Sequence, residues 1–411
     1  MLLTALAGLL VIFLAGSLRP VNMGAVALVA AFLLTAVSEA QPEDIFAGFP
    51  VDLLVILVGV TYLFGFAHNN GSVDWILRLA VAAVRGNRAL VPWIMFAASA
   101  VLAGIGAASP AAVAIVAPVG IAFAVRHGTS PLLAGLMAVN GAAAGSFSPL
   151  GVLGGIALRT AERSGARIDA ASLLFTVLGF NFLIALVTVA VFRKHGVGAT
   201  GSAPALAPRT RPTAEQVLTL TGILLLIAAV TFLKADAGLV ALTASVVLAL
   251  LFPATAQDAA KQIAWPIVLL ACGIVTYVAV LERIGVIREL SNGVEAIGSP
   301  VLAALVVCLI GAVVSAFAST TGILGALVPL SVPLLVGGDV HPGLLLAALC
   351  VSASVVDASP FSTNGALVVA TVPEAQRAAT YRALLLWGAA MVVAAPLASW
   401  AVLVLPQLAG K

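Results

Sequence analysis

The sequence predicts an all-α polytopic membrane protein: two inverted repeats of five transmembrane helices, each repeat with a re-entrant hairpin and an unwound helix. Three observations lead there. The 411 residues are 62% hydrophobic and 9% charged, with a mean hydropathy of +1.20. Apolar runs of span length recur along the whole chain, more than a soluble core can absorb. They are continuous rather than alternating, which excludes barrel strands. The chain also overlays on itself.

At an offset of 214, Gly8 meets Gly222, Gly24 meets Gly238, Gly59 meets Gly273 and Gly71 meets Gly285. At an offset of 211, Pro118 meets Pro329, Pro131 meets Pro342, Ser148-Pro149 meets Ser359-Pro360, and Gly154 meets Gly365. Gly and Pro fix backbone shape, so matches of these two types carry more weight than matched alanines. Residues 1–195 form repeat one, 196–213 a linker and 214–411 repeat two.

Each repeat follows one plan. Two spans open it, at about 2–18 and 22–39, then at about 214–233 and 236–253. Leu2–Leu18 lacks a basic n-region and a clear cleavage site, so it is expected as a retained span, not a signal peptide. A third span follows at about 51–67 and 264–281, then a weaker amphipathic piece, "VDWILRLAVAAVRG" in repeat one. Next comes a long apolar stretch, about 91–125 and 301–337, interrupted by "GAASPA" or "FASTTG". A stretch that enters and leaves on one face leaves five crossings, an odd number, and so opposite orientations. A broken span and a final span close each repeat.

The linker "RKHGVGATGSAPALAPRTRP" is basic and is expected in the cytoplasm, with both termini outside. "RTAERSGAR" then falls on the less basic face. The net charge of +3 carries no nucleic-acid signal. Cys272, Cys308 and Cys350 sit in apolar runs without metal spacing and read as packing residues. His68, His127, His195 and His341 fall near span ends or in loops and read as surface residues.

The interruptions are where chemistry is expected. Ser109-Pro110 reads as a helix cap and start inside an apolar stretch, as do Ser148-Pro149 and Ser359-Pro360 in the broken spans. Ser319, Thr320 and Thr321 occupy the matching place in "SAFASTTGILGALVPL". Four helix N-termini at membrane depth each present free N–H groups and about half a positive charge. Hydrocarbon cannot satisfy them, and an anion can. Opposed pairs suit a molecule with an anionic group at each end. Any one of these small residues, taken alone, is better explained by close helix packing; the duplicated set favours a site. Asp357, deep in "VSASVVDASPFSTNGALVV", either carries a coupling proton or cation, or caps unwound backbone. Asn140 and Asn364 flank the breaks.

"GVTYLFGFAHNNGSVDW", "GIGAASPAAVAIVAPVG" and "GSFSPLGVLGG" resemble the N-terminal half of the MatC-type malonate/dicarboxylate carriers, which belong with the divalent anion/sodium symporters of the ion transporter superfamily. The resemblance covers nearly the whole chain and is most specific in residues 46–155. It implies inverted repeats, a homodimer, and a transport domain (about 91–160 and 301–372) that moves against a scaffold as an elevator. In sodium-coupled members each hairpin tip reads Ser-Asn-Thr ahead of a Pro. Here the tips read Ala108-Ser109-Pro110 and Ser319-Thr320-Thr321, with Ser109 and Thr320 in place of the Asn.

The resemblance therefore implies a multi-pass inner (plasma) membrane carrier of bacterial type. Its substrate is a small dicarboxylate, malonate-like or C4, and its partners are sodium or protons, with no cofactor beyond sodium at the tips. Substrate contacts are expected from Ser109, Pro110, Ser148, Pro149, Thr320, Thr321, Ser359, Pro360, Thr363 and Asn364. Cation coupling is expected from Gly104, Ala108, Gly145, Ser315, Ser319 and Asp357. A permease for a monocarboxylate, sulfate or another oxyanion is the other transport reading, because no Lys or Arg lies at membrane depth to fix the charge number. A membrane-embedded hydrolase lacks a paired intramembrane Asp, a zinc motif or a Ser–His pair.

Overall fold

The computed structural model describes residues 7–8, 10–12, 14–15, 19, 21–38, 41–83, 88–163, 165–193, 211–286, 299–317, 320–331 and 340–408. The first expected span lies largely outside these residues, and the linker almost entirely so. All regular elements among the described residues are helical. The first half of the chain contributes α1 (Met23–Thr35), α2 (Pro42–Gly48), α3 (Val51–Asn69), α4 (Ser72–Ala83), α5 (Val91–Gly104), α6 (Ser109–His127), α7 (Pro131–Gly145), α8 (Val152–Arg163) and α9 (Ala170–Phe192). The second half contributes α10 (Ala214–Phe232), α11 (Ala237–Leu251), α12 (Pro253–Lys261), α13 (Trp265–Arg283), α14 (Pro300–Phe317), α15 (Thr320–Leu330), α16 (Pro342–Val355), α17 (Thr363–Thr371) and α18 (Glu374–Ser399).

The helix starts obey local chemistry. Asn22 accepts from the Gly24 N–H at 2.8 Å, Asp169 from Ser172 at 2.7 Å and Asp236 from Leu239 at 3.0 Å. Thr213 and Gln216 form a reciprocal capping box at the start of α10. Five helical segments, 51–69, 170–192, 265–283, 342–371 and 374–407, are long and apolar enough to cross a membrane, and shorter apolar helices accompany them. The protein is a multi-pass membrane protein.

Glycine pairs at the constant offset occupy matched places. A Cβ added at Gly24 would lie 1.9 Å from the Leu269 carbonyl oxygen, and one at Gly273 2.1 Å from that of Gly24. So α1 and α13 cross backbone to backbone. A Cβ at Gly59 would lie 2.5 Å from the Gly238 oxygen, and one at Gly238 2.6 Å from the Ile56 nitrogen. So α3 and α11 cross in the same way, with the roles of the two halves exchanged. Small residues at such crossings let backbones approach and build the contact from dispersion. Gly71 and Gly285 follow the ends of α3 and α13 in left-handed conformations (φ 76° and 81°) that L side chains disfavour. Pro131 and Pro342 each open a helix, where the missing N–H costs nothing.

At the centre lie α7 and α16, buried almost along their whole length and free of charged residues. On one side α5 packs on α7; α9 touches both central helices; α14 and α18 flank α16. Gly141 and Gly145 bring α7 into backbone contact with α5, where added Cβ atoms would lie 2.1 Å from the Phe96 oxygen and 1.9 Å from that of Ala100. Outward faces of α9 and α18 expose apolar residues such as Phe175, Leu183, Leu386 and Val393, as lipid contact requires.

Candidate functional site

Three of the four expected interruptions are present among the described residues. Residues 105–108 separate α5 from α6, 146–151 separate α7 from α8, and 356–362 separate α16 from α17. The fourth, expected at Ser319 between α14 and α15, lies outside the described residues. Around the breaks the two halves interleave: α6 packs on α17, and α15 packs on α8. Each half of the chain thus packs a helix that follows one of its interruptions against a helix that follows an interruption in the other half.

The capping expectation needs correction at three places. The N-cap of α6 is Ala108, with Ser109 and Pro110 already helical and no side-chain cap. Ser148-Pro149 and Ser359-Pro360 do not start helices. They open turns, closed by Gly151 N–H to Ser148 O at 2.9 Å and Ser362 N–H to Ser359 O at 3.2 Å. Proline's fixed φ serves the second residue of a β-turn as well as the first of a helix. Helix starts therefore fall three residues later, at Val152 and Thr363. At α17 the cap is Ser362, whose Oγ accepts from Gly365 N–H at 3.0 Å and whose single proton faces the backbone oxygens of Asp357 and Ser359. The same Ser-Pro pattern does cap α7, where Ser130 Oγ accepts from Leu133 N–H at 3.2 Å. Ser362→Ala is expected to lower thermal stability by about 1 kcal/mol through the lost cap. Ser362→Asn should recover most of that in the same melting experiment.

Thr320 is a hub in repeat two. Its Oγ1 donates to Asp357 Oδ1 at 2.7 Å and lies 3.0 Å from Ser315 Oγ. With Thr320's single proton on Asp357, Ser315 is the donor of the second bond. The Ala353 carbonyl oxygen is 3.4 Å from the same hydroxyl. Four oxygens thus converge, one of them a carboxylate, which is the donor chemistry that hard cations favour. Asp357's carboxylate accepts from Thr320 and from no backbone N–H among the described residues. Thr321 is buried beside it in the first turn of α15.

In repeat one the Gly104 carbonyl accepts from Ser148 Oγ, and Leu150 N–H donates to that Oγ at 3.2 Å. Ser148 N–H bonds the Gly145 carbonyl at 3.0 Å, so Gly104, Gly145 and Ser148 form one cluster. The Ala108 carbonyl instead accepts from Ala111 and Ala112 in the first turn of α6. No carboxylate joins this group among the described residues.

A third contact joins the halves. Asn364, in the first turn of α17, donates through Nδ2 to Ser109 Oγ at 2.9 Å. Both are buried, and among the described residues Asn364 Oδ1 has no partner; nor does the buried Ser359 Oγ. Gly388 makes room for Ser359, since a Cβ there would lie 2.7 Å from the Ser359 Cβ. Pro360 is buried, Pro110 and Pro149 half-buried, and Thr363 exposed. Asn140 is not drawn to the breaks: it donates to Thr188 Oγ1 on α9 at 3.1 Å. Sequence reasoning missed Ser362 and the Ala353 carbonyl. A hydroxyl three residues ahead of Gly365 was the available signal for the first; a backbone oxygen has none.

The chain as a whole has two likenesses among known proteins. Residues 1–146 match the family model described as dicarboxylate carrier protein MatC N-terminus. The chain also shares its fold with the YdaH transporter of Alcanivorax borkumensis, whose crystal structure is described as having an unusual topology. The TM-score is 0.62 at 16% identity, covering 87% of this chain and 86% of that one. At that identity the likeness carries the fold alone. No curated protein sequence matches the chain. The match over residues 1–146 is to a carrier family, and the fold likeness adds no role of its own.

Proposed function

We propose that the protein is a secondary active transporter of small dicarboxylates, malonate-like or C4, driven by sodium or protons through an elevator motion. The observation that carries this reading is the pair of buried atoms without a partner among the described residues, Ser359 Oγ and Asn364 Oδ1, beside the starts of α6 and α17. They lie in a chain whose first 146 residues match a dicarboxylate carrier. A buried polar atom without a partner costs about 1–3 kcal/mol unless a ligand satisfies it. The Ser359 hydroxyl is a donor suited to a carboxylate. Turning the Asn364 amide over lets Ser109 donate to Oδ1 and frees the Nδ2 hydrogens for the ligand, and a hydroxyl accepts either arrangement.

Thr320, Asp357, Ser315 and the Ala353 carbonyl would hold the coupling cation, with Ser319 at the same tip. In repeat one Gly104, Gly145 and Ser148 would line the second cation position, with Ala108 adjoining. Ser109, Ser148, Thr321 and Ser359, with Pro110, Pro149, Pro360 and Thr363 shaping the turns, would surround the substrate. Oppositely oriented repeats are supported by the exchanged glycine crossings of α1 on α13 and α11 on α3. The elevator reading places α5–α8 and α14–α17 in the moving unit. A homodimer in the inner membrane, with both termini outside, completes the proposal.

Uptake of labelled malonate and succinate into proteoliposomes tests it, with sodium and pH gradients imposed separately. Accumulation with one of the two gradients is expected. Absence of counterflow with both acids would sink the substrate class. Because the described site holds no Lys or Arg, sulfate and monocarboxylates belong in the same assay as the second reading.

A further inference from the structure

Two cavities adjoin the two Ser-Pro turns. The first, about 350 Å³, runs from Pro149 past Leu158 on α8 to a rim containing Arg159, Glu162 and Arg167, with α3, α10 and α11 on its far side. The second, about 390 Å³, runs from Pro360 past Ala366 and Val369 on α17 to Arg377 and Tyr381. Their walls match at the offset of 211, pairing Pro149 with Pro360, Gly155 with Ala366 and Leu158 with Val369. Each volume admits a small organic anion.

The charges at each rim are not equivalent. Arg159 is committed: it pairs with Asp236 at 2.8 Å and faces Glu162 at 3.6 Å. Asp236 also caps α11, and Asp169, two residues beyond Arg167, caps α9. Both nearby aspartates are thereby used. Arg167 makes no ion pair or hydrogen bond among the described residues. An ordered turn sets its position: Gly165 has φ 85°, and Ala166 N–H returns to the Ala161 carbonyl at 2.9 Å. Arg377 likewise makes no ion pair among the described residues, and its Nη2 reaches only the Ala370 carbonyl at 3.5 Å. No carboxylate lines the second cavity, and Glu374, one turn back on α18, is not bonded to Arg377. One guanidinium without an ion pair among the described residues thus stands at each of two matched cavities that lead to the broken helices, with Glu162 sharing the rim of the first.

We infer that the two cavities are anion-capture vestibules, in which Arg167 and Arg377 draw a small carboxylate anion from solution toward the Pro149 and Pro360 turns. This rests on the transporter reading above. A cation at the mouth of a low-dielectric cleft concentrates field lines and raises the local concentration of anions, an effect that salt screens.

The test has a substrate-independent arm. Ala235 lines the first cavity and Ala366 the second, and the native cysteines described are all buried. With Ala235→Cys or Ala366→Cys, thiol modification is timed with 2-sulfonatoethyl methanethiosulfonate and with its cationic trimethylammonium analogue. The anionic reagent is expected to gain over the cationic one. Adding Arg167→Gln or Arg377→Gln respectively should cut the anion-to-cation rate ratio about fivefold at low salt, and far less at high salt. Arg→Lys should keep the ratio. A ratio unmoved by Gln at low salt overturns the proposal. In the transport arm, Arg167→Gln should raise the KM for malonate or succinate more than it lowers Vmax, again only at low salt. If the unmodified protein moves neither acid, the dicarboxylate reading fails, while the labelling ratio still decides whether the cavities attract anions.

Discussion

Replacing Gly273 with valine is expected to leave little or no folded, active protein. The Cβ of any larger residue there would lie 2.1 Å from the Gly24 carbonyl oxygen and 2.6 Å from the Gly24 Cα. Both are backbone atoms of α1, so no side chain can swing away. The two helices must separate by about 1 Å or more at their crossing, and a gap of that size forfeits a quarter to a half of each contact's dispersion energy. Overpacking of this kind costs about 1–3 kcal/mol, more when backbone must shift. In a membrane there is no compensating hydrophobic drive between helices. Even alanine should be harmful at 273. At Gly179, on an exposed part of α9 with nothing within 4 Å of an added Cβ, alanine should be neutral or stabilising. Melting temperature and monodisperse yield in detergent provide the comparison. A Gly273→Val protein that melts within about 2 °C of the parent would show that the crossing carries little of the stability.

The same glycines explain why so much of the fold was readable in one sequence. A residue type that only fits a left-handed turn, a helix start or a backbone contact leaves a mark wherever the geometry recurs. Gly71 and Gly285, Pro131 and Pro342, and Gly154 and Gly365 are such marks. Cβ atoms at the last pair would lie 2.1 Å from the Ser148 oxygen and 1.9 Å from the Ser359 oxygen, inside equivalent turns. Helix starts at the breaks were less legible. Ser-Pro serves a turn and a helix cap with one backbone geometry, and the next two residues decide between them. Leu-Leu after Ser130-Pro131 continues the helix, whereas Leu-Gly after Ser148-Pro149 and Phe-Ser after Ser359-Pro360 let the chain turn first. Partner choice was not legible. Asn364 meets Ser109 across 255 residues, and nothing local to either announces the other. The helix α12 was also missed, because "PATAQDAAK" has too few apolar residues to stand out beside the spans.

Substituting Asp357 with Asn separates the two roles open to this carboxylate, and we expect it to lower coupled uptake by more than tenfold in a folded protein. The change is nearly isosteric. Asn retains an Oδ1 that accepts the Thr320 hydroxyl, now 2.7 Å away, so the link between α15 and the α16–α17 break survives. What disappears is the negative charge in a cluster otherwise made of neutral oxygens from Ser315, Thr320 and Ala353. A hard cation loses its one formal counter-charge there, and a proton loses its site. If the carboxylate only organised unwound backbone, Asn, which caps backbone as well as Asp, would sustain transport. Thr320 supplies the control: Thr320→Ser keeps the hydroxyl and should transport, whereas Thr320→Ala removes the donor to Asp357 and should not. The driving-ion arms then divide. In a sodium-coupled carrier Asp357→Asn should abolish stimulation of uptake by an imposed sodium gradient, and in a proton-coupled one it should flatten the response to an imposed pH gradient. Full uptake with both responses intact would exclude the charge of Asp357 from coupling and move attention to the carbonyls of Gly104 and Gly145, where repeat one gathers oxygens with no carboxylate described among them.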